Sequence, residues 1–169
     1  MKAVLISIQP KWCELIASGK KTVEVRKTRP KLKLPFKCYI YQTKKVWTYD
    51  IYSRIANYQG RVIGEFVCDE IKGGFWVTPF SDYLQSQSCL SYREVEDYGN
   101  DKPIFAWHIS DLVIYDKPKE LSEFYKVGYK DMLDMDFLTE NSEEAKYWKI
   151  ERPPQSWCFV EELVGDNNA

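Results

Sequence analysis

Residues 18–30 read SGKKTVEVRKTRP and join the end of a short helix directly to a strand. Gly19 is a natural helix terminator, because glycine adopts left-handed backbone conformations without steric cost. The β-branched residues that follow it favour a strand over residues 21–26. A junction this short leaves the chain little freedom, so it fixes the direction in which the side chains of the strand point.

The polar side chains of this strand are predicted to share one face. Strand side chains alternate, so Thr22, Glu24 and Arg26 lie on one side and the valines between them on the other. Lys20 and Lys21 add two ammonium groups at the start. A guanidinium suits a phosphate, and a carboxylate accepts a hydrogen bond from the amino edge of a base. The segment predicts a ligand-binding group, with a Glu24–Arg26 ion pair as the structural alternative.

Lys21 and Glu24 are also the catalytic candidates, if the protein is an enzyme. A buried Lys21 is suited to contact a phosphate or carbonyl group, or to act as a base. The alternative is a solvated surface lysine. Glu24 is predicted either to act as a general base or to form a structural ion pair.

Charge is distributed unevenly along the chain. Residues 1–46 hold 12 Lys/Arg against two acids, a net charge of +10, and residues 47–169 have a net charge of −11. A basic lobe suits a polyanion such as RNA. The alternative is that the two parts neutralise each other across the fold.

Two further sets of residues extend the RNA-binding hypothesis. Basic residues downstream of the strand would form a phosphate track, although such a run is also typical of a solvated loop. This set is Lys27, Arg29, Lys31 and Lys33. Aromatic side chains offer stacking surfaces for bases, although at strand spacing they more often belong to a core. These are Trp12, Tyr39, Tyr41, Trp76 and Trp157, of which we expect Trp157 in the core and Trp76 exposed.

Composition excludes several other classes of protein. The five cysteines form no C-x-x-C pair and His108 is the single histidine, so we predict no metal site and no cofactor. His108 lies in an apolar strand and is predicted to be a hydrogen-bonded structural residue. No apolar run approaches the length of a membrane span, and no signal peptide is evident. We therefore expect a cytoplasmic protein without a membrane partner; its oligomeric state stays open.

The order of elements predicts a mixed α/β (α+β) fold, a β-barrel with short helices and helical insertions. Pro10 suits the first turn of a helix, and Ser91 with Glu94 resembles a capping box. The strands are predicted at 3–8, 21–26, 38–43, 61–71, 104–115 and 155–163, with a bulge at Gly64, a break at Gly73–Gly74 and a bend near Asp111. Residues 44–60 are predicted to form a loop or a short helical excursion, and residues 128–150 a partly helical surface excursion. Residues 1–163 are predicted to form one domain, and 164–169 a frayed tail.

With these segments assigned, the chain resembles the ASCH-domain family. The resemblance is carried by LISIQPKWCELIASGKKTVEVRKTRP, IGEFVCDEI, FAWHISDLVIYDKPKEL and PQSWCFVEEL. Its G-x-K-x-x-E-x-R core fits Gly19, Lys21, Glu24 and Arg26 residue for residue. Residues 44–60 and 125–150 have no counterpart that we can assign.

The resemblance implies a PUA-like barrel with a cleft beside the first helix and the motif strand, which binds RNA or a nucleotide-like ligand. Some small members are amidohydrolases that remove an acetyl group from a modified cytidine. In these, a lysine matching Lys21 acts with a further glutamate and with a threonine at the position of Glu24. Glu24 lacks the hydroxyl, Thr22 is displaced from that position, and the further glutamate stays open among Glu65, Glu94 and Glu96. A metal-independent ribonuclease is the other alternative.

Overall fold

The computed structural model describes residues 1–44, 55, 57–75 and 82–163. Within them the chain forms five α-helices, a 3-10 helix at Leu121–Glu123 and eight strands. The strands are β1 (Lys2–Ile8), β2 (Val23–Arg26), β3 (Phe36–Gln42), β4 (Val62–Cys68), β5 (Ile71–Phe75), β6 (Ile104–His108), β7 (Ser110–Lys119) and β8 (Trp157–Glu161). The helices are α1 (Pro10–Ala17), α2 (Asp82–Ser88), α3 (Tyr92–Gly99), α4 (Tyr129–Asp134) and α5 (Glu143–Trp148).

The strands form two sheets. A five-stranded sheet has the order β7-β4-β3-β1-β8, and a three-stranded sheet has the order β2-β6-β5. β1 and β3 pair in parallel, and the other pairs are antiparallel. The mixed α/β class is confirmed. The predicted barrel is not, because the sheets formed by the described strands do not close on each other.

The two sheets share a core that holds the site in place. β1 is buried along its whole length apart from Lys2, and it packs with β3 and helix α1. Trp107 of β6 is fully buried and contacts the rings of Phe36 and Trp157. A smaller cluster of apolar side chains packs β2 and β6 against α2 and α3. The motif strand β2 therefore lies on a supported surface.

Two predictions about strand boundaries are wrong. Residues 61–71 form two strands, not one, because β4 ends at Cys68 and β5 begins at Ile71. Gly73–Gly74 does not end a strand but lies inside β5, where the pattern is nevertheless interrupted: the register with β6 shifts between Gly73 and Phe75, and Gly74 has a φ of +78°. Gly73 lets the Phe105 ring of β6 approach, since a Cβ would lie 2.1 Å from its Cδ1. The irregularity predicted at Gly64 is confirmed, since the register of β4 shifts there against both neighbours.

Several local signals are confirmed. Helix α1 starts at Pro10, and Gly19 follows it with φ of +73°. Ser91 and Glu94 form the predicted capping box at the start of α3. The region 104–115, predicted as a strand bent near Asp111, consists of two segments, β6 and β7, and Asp111 has a positive φ of 46°. Residues 128–150 contain α4 and α5.

Some predictions fall outside the described residues. These concern most of the loop 44–60, Trp76 and the tail 164–169. In the described part, no helix is long and apolar enough to cross a membrane, and no three His, Cys, Asp or Glu residues are grouped to hold a metal ion. All five cysteines are free thiols.

Candidate functional site

Three charged side chains of the motif form a buried ion cluster. Glu24 Oε2 lies 3.4 Å from Lys21 Nζ, and Glu24 Oε1 lies 3.0 Å from Arg26 Nη2. The three side chains are only 1%, 7% and 10% exposed for Lys21, Glu24 and Arg26. We call these three residues the triad. Charges this far from water require partners, so the solvated-lysine alternative for Lys21 is wrong and the structural Glu24–Arg26 pair is present.

The triad is anchored to neighbouring elements through carbonyl groups. Lys21 Nζ donates a hydrogen bond of 2.7 Å to the Ser88 carbonyl at the end of α2. Arg26 Nη2 donates one of 2.7 Å to the Ser7 carbonyl of β1. Lys21 precedes β2, which begins at Val23 and not at residue 21 as predicted. The lysine thus links α2 to the motif, and the arginine links β2 to the larger sheet.

A cavity of about 580 Å³ opens above the triad. Its volume is in the range of small-molecule and nucleotide sites. The side chains around it come from both sheets and from the helices α1 and α3. The lining consists of Ser7, Ile8, Gln9, Trp12, Lys21, Glu24, Val25, Arg26, Thr43, Leu90, Glu94, Asp97, Tyr98, Gln155 and Ser156.

Three buried polar atoms on the cavity wall have no hydrogen-bond partner among the described residues. They are Glu24 Oε2, Arg26 Nε and Thr43 Oγ1. Glu24 Oε2 lies near the charge of Lys21 but accepts no hydrogen bond from the part of the chain that the structure describes. A buried polar atom left unpaired costs about 1–3 kcal/mol, so such atoms are usually satisfied. A carboxylate acceptor and a guanidinium donor thus remain without a hydrogen-bond partner on residues of the same cavity wall.

Two aromatic side chains border the cavity from different helices. Trp12 of α1 is half-buried, and its ring centroid lies 5.2 Å from Lys21 Nζ. Tyr98 of α3 remains 36% exposed. Burial raises the pKa of the Tyr98 hydroxyl, and the neighbouring Arg26 charge opposes this, so Tyr98 stays a neutral hydroxyl at physiological pH. Both rings are suited to contact the face of a planar ligand.

Among the three candidates for a further acid, Glu94 lines the cavity. Its carboxylate caps α3, and hydrogen bonds from the Ser91 backbone and side chain and from Lys11 hold the pKa of Glu94 below its ordinary value. A carboxyl held in its ionised form is a poor proton donor, which counts against a general-acid role. Glu65 bonds to Lys37 and Tyr115 away from the cavity, and Glu96 is exposed on α3 and is not part of the lining.

Comparison with known proteins identifies the family. The ASCH domain model matches residues 6–147, from within β1 to within α5. The chain belongs to the ASCH domain family. The resemblance seen in the sequence is therefore confirmed, and with it the assignment to a PUA-like fold.

Solved structures of an ASCH protein from Zymomonas mobilis are similar to this chain. The protein without a named mutation is 25% identical, with a TM-score of 0.62, over 95% of this chain and 88% of the other. A mutant of it with phenylalanine in place of a tyrosine is 23% identical, with a TM-score of 0.63, over 96% and 92% of the two chains. A second mutant, with alanine in place of a serine, is 22% identical, with a TM-score of 0.62, over 95% and 89%. No match was found among curated proteins.

Four predicted binding residues of this ASCH domain do not line the cavity. Lys20, Lys27 and Arg29 are exposed. Thr22 lies before β2 and is half-buried, with its backbone bonded to Gln87 and Ile109, so it does not share the cavity face of Glu24 as predicted. The deviation has a simple cause: alternation of side chains holds only inside a strand, and the strand starts one residue later.

The aromatic candidates for base stacking also differ in whether they line the cavity. Tyr39 and Tyr41 are buried in the core and are therefore unavailable to a ligand, whereas Trp12 lines the cavity. Trp157 packs against the core as predicted, and its indole N–H donates to Thr28 Oγ1 over 3.0 Å. His108 Nδ1 lies 2.7 Å from Asp69 Oδ1, as expected of a hydrogen-bonded histidine.

The sequence analysis of this ASCH domain singled out Trp12, Lys21, Glu24, Arg26 and Glu94 and missed the other ten lining residues, among them Leu90, Asp97 and Tyr98 on the helical wall. A signal for two of them was present. The capping box places Glu94 in the first turn of α3, and residues three and four positions later lie on the same helix face. If Glu94 lies on the face of α3 that packs against the motif, then Asp97 and Tyr98 are expected on that face as well.

Each of the two interpretations of the uneven charge distribution applies to some of the N-terminal basic residues. Some N-terminal basic residues pair with acids from later in the chain, such as Lys11 with Glu94 and Lys37 with Glu65. The exposed segment 27–33 behaves differently. Its Lys27, Arg29, Lys31 and Lys33 form no ion pair with any residue that the structure describes.

Proposed function

We propose that this ASCH domain binds RNA or a nucleotide-like ligand by accepting a nucleobase in the cavity above the triad. The observation that carries the proposal is the buried pair of unpartnered atoms, Glu24 Oε2 and Arg26 Nε. A carboxylate oxygen accepts from an amino or imino N–H of a base, and a guanidinium N–H donates to a neighbouring ring nitrogen or carbonyl oxygen. Proteins read unpaired RNA bases in this way, with aromatic side chains against the base faces.

The charges around the cavity favour a base over a phosphate. Two cations, Lys21 and Arg26, face three carboxylates, Glu24, Glu94 and Asp97. Glu24 already pairs with both cations, and Arg26 Nη2 is occupied by Ser7 and Glu24. A phosphate would meet a surplus of negative charge, whereas a neutral base meets hydrogen-bonding groups and apolar walls. This argues against the phosphate contact predicted for Arg26.

An NMR titration tests the proposal. We expect cytidine to shift backbone amide signals of residues 21–26 and 94–98 and the indole signal of Trp12, because these groups surround the cavity. Glu24→Gln replaces the free acceptor at constant size, and we expect binding to weaken roughly tenfold or more, as for the loss of one good base contact. Glu96→Gln, on the exposed side of α3, is the matched control and should bind like the wild type.

The titration also has results that would refute base binding. Shifts confined to another surface would do so, as would a folded Glu24→Gln protein that binds cytidine as tightly as the wild type. Spectra of the free variant establish that it is folded before any ligand is added.

A small amidohydrolase acting on an acylated nucleoside is the second candidate, because Lys21, Glu24 and Glu94 line one cavity. Lys21 Nζ donates to a carbonyl and faces a carboxylate, as an ammonium does, so Glu24 is the better base for activating water. Incubation with N4-acetylcytidine should then release cytidine, and Glu24→Gln should abolish the release. Absence of turnover by the wild type removes this candidate and leaves binding of the intact nucleoside as the activity. A metal-independent ribonuclease stays the other alternative.

A further inference from the structure

Two lysines lie on the aromatic walls at the mouth of the cavity. Lys11 Nζ is 4.2 Å from the centre of the Trp12 ring and 3.2 Å from Glu94 Oε1. Lys27 Nζ is 5.2 Å from the centre of the Tyr98 ring. Both lysines are exposed, whereas both rings line the cavity. The mouth therefore carries two cations, of which Lys11 is paired with Glu94, outside a cavity whose lining holds three carboxylates and two cations.

The positive charge continues from the mouth along residues 27–33. This segment is held beside the cavity, because Thr28 accepts a hydrogen bond from Trp157, the neighbour of the lining residue Ser156. The Arg29 guanidinium lies 5.9 Å from the centre of the Phe105 ring on β6, so the segment passes over the three-stranded sheet. Basic residues thus begin at the cavity and extend to one side of it.

We propose that the ligand is a single-stranded stretch of RNA, with one unpaired base inside the cavity and its neighbouring phosphates on Lys11, Lys27 and the segment 27–33. This inference rests on the proposed function. It adds that the natural ligand is a polymer, since a free nucleoside would leave Lys27 and the rest of the basic segment 27–33 without an ionic partner among the described residues. A paired base is excluded because its hydrogen-bonding edge is occupied and cannot reach Glu24 and Arg26 inside the cavity.

Binding of two ligands as a function of salt tests this inference. The ligands are cytidine and the pentaribonucleotide AACAA, each titrated against the full chain at several KCl concentrations. Each phosphate contact on a single strand contributes a slope of about −0.7 to log K against log salt. We expect the pentaribonucleotide to bind more tightly than cytidine, and the double variant Lys11→Gln/Lys27→Gln to reduce the steepness of its slope by roughly 1.4.

A control variant removes the same charge elsewhere. Lys117 on β7 and Lys146 on α5 are exposed and do not line the cavity. The double variant Lys117→Gln/Lys146→Gln should keep the wild-type slope and affinity. A slope reduced equally in both double variants would overturn the inference, because it would reflect net charge alone.

The outcomes separate the inference from the proposed function. If cytidine binds in a Glu24-dependent manner but the pentaribonucleotide binds no more tightly, the base site stands and the inference falls. If neither ligand depends on Glu24, the proposed function itself fails. If the pentaribonucleotide binds through the lysines but is insensitive to Glu24→Gln, the protein holds phosphates without a base, and both are refuted.

Discussion

Replacing Glu24 by alanine is expected to lower the free energy of unfolding by about 3–5 kcal/mol. Glu24 is the shared partner of Lys21 and Arg26, and all three side chains are at most 10% exposed. Removing it leaves two buried cations without a counter-charge, and low-polarity surroundings make that state costly. Urea denaturation followed by far-UV circular dichroism measures the loss. Glu96→Ala, an exposed acid on α3, should change the stability by no more than about 0.5 kcal/mol.

A triple variant distinguishes a structural triad from a functional one. Replacing all members of a buried ion cluster by apolar residues of similar size is often neutral or stabilising. We therefore expect Lys21→Met/Glu24→Leu/Arg26→Met to unfold at a denaturant concentration close to that of the wild type and to lose cytidine binding. A triple variant that still binds cytidine would show that the triad serves the fold alone. A Glu24→Ala protein as stable as the wild type would contradict the burial of the cluster.

Trp107→Ala is expected to cost about 3–5 kcal/mol, the range for deleting a large buried aromatic side chain. Trp107 is fully buried, and its ring lies 6.0 Å from Phe36 and 6.1 Å from Trp157, measured between ring centroids. It joins the two sheets, because Phe36 and Trp157 belong to the five-stranded sheet and Trp107 to the three-stranded one. Its deletion leaves a cavity that rigid strands on both sides cannot close.

Trp107 also has a direct link to the site, since it is the cross-strand partner of Glu24. The variant should therefore weaken cytidine binding as well as lower the denaturation midpoint. Phe137→Ala removes an aromatic ring that is 69% exposed, and we expect it to leave both quantities nearly unchanged. Equal losses for the two variants would show that Trp107 does not join the sheets in solution.

Short-range patterns in the sequence predicted much of the secondary structure. Gly19 ends α1, Ser91 and Glu94 cap α3, and Gly64 marks an irregular register, each for a reason confined to a few neighbouring residues. The pairing of strands is decided at longer range. The barrel inferred from the succession of strands is not confirmed, and Gly73 lies inside β5, where the Phe105 ring of β6 needs the space.

Only part of the candidate site could be predicted from the sequence, because the rest depends on contacts between residues that are far apart in the chain. Lys21, Glu24 and Arg26 are close in sequence, so their association followed from the motif. The carbonyl of Ser88 and the side chain of Tyr98 reach the site from residues more than sixty positions away, and no local pattern predicts such contacts. Glu94 could be proposed beside Glu65 and Glu96, but only the packing of α3 separates the three.

Glu24 lies between two cations, and this position limits how the ligand specificity of the cavity can change during evolution. Any exchange at that position must be matched by exchanges at Lys21 and Arg26, or the chain loses most of its margin of stability. Leu90, Asp97 and Tyr98 border the same hollow without holding the sheets together. Among relatives that keep Lys21, Glu24 and Arg26, divergence in what they recognise should therefore accumulate on the helical wall.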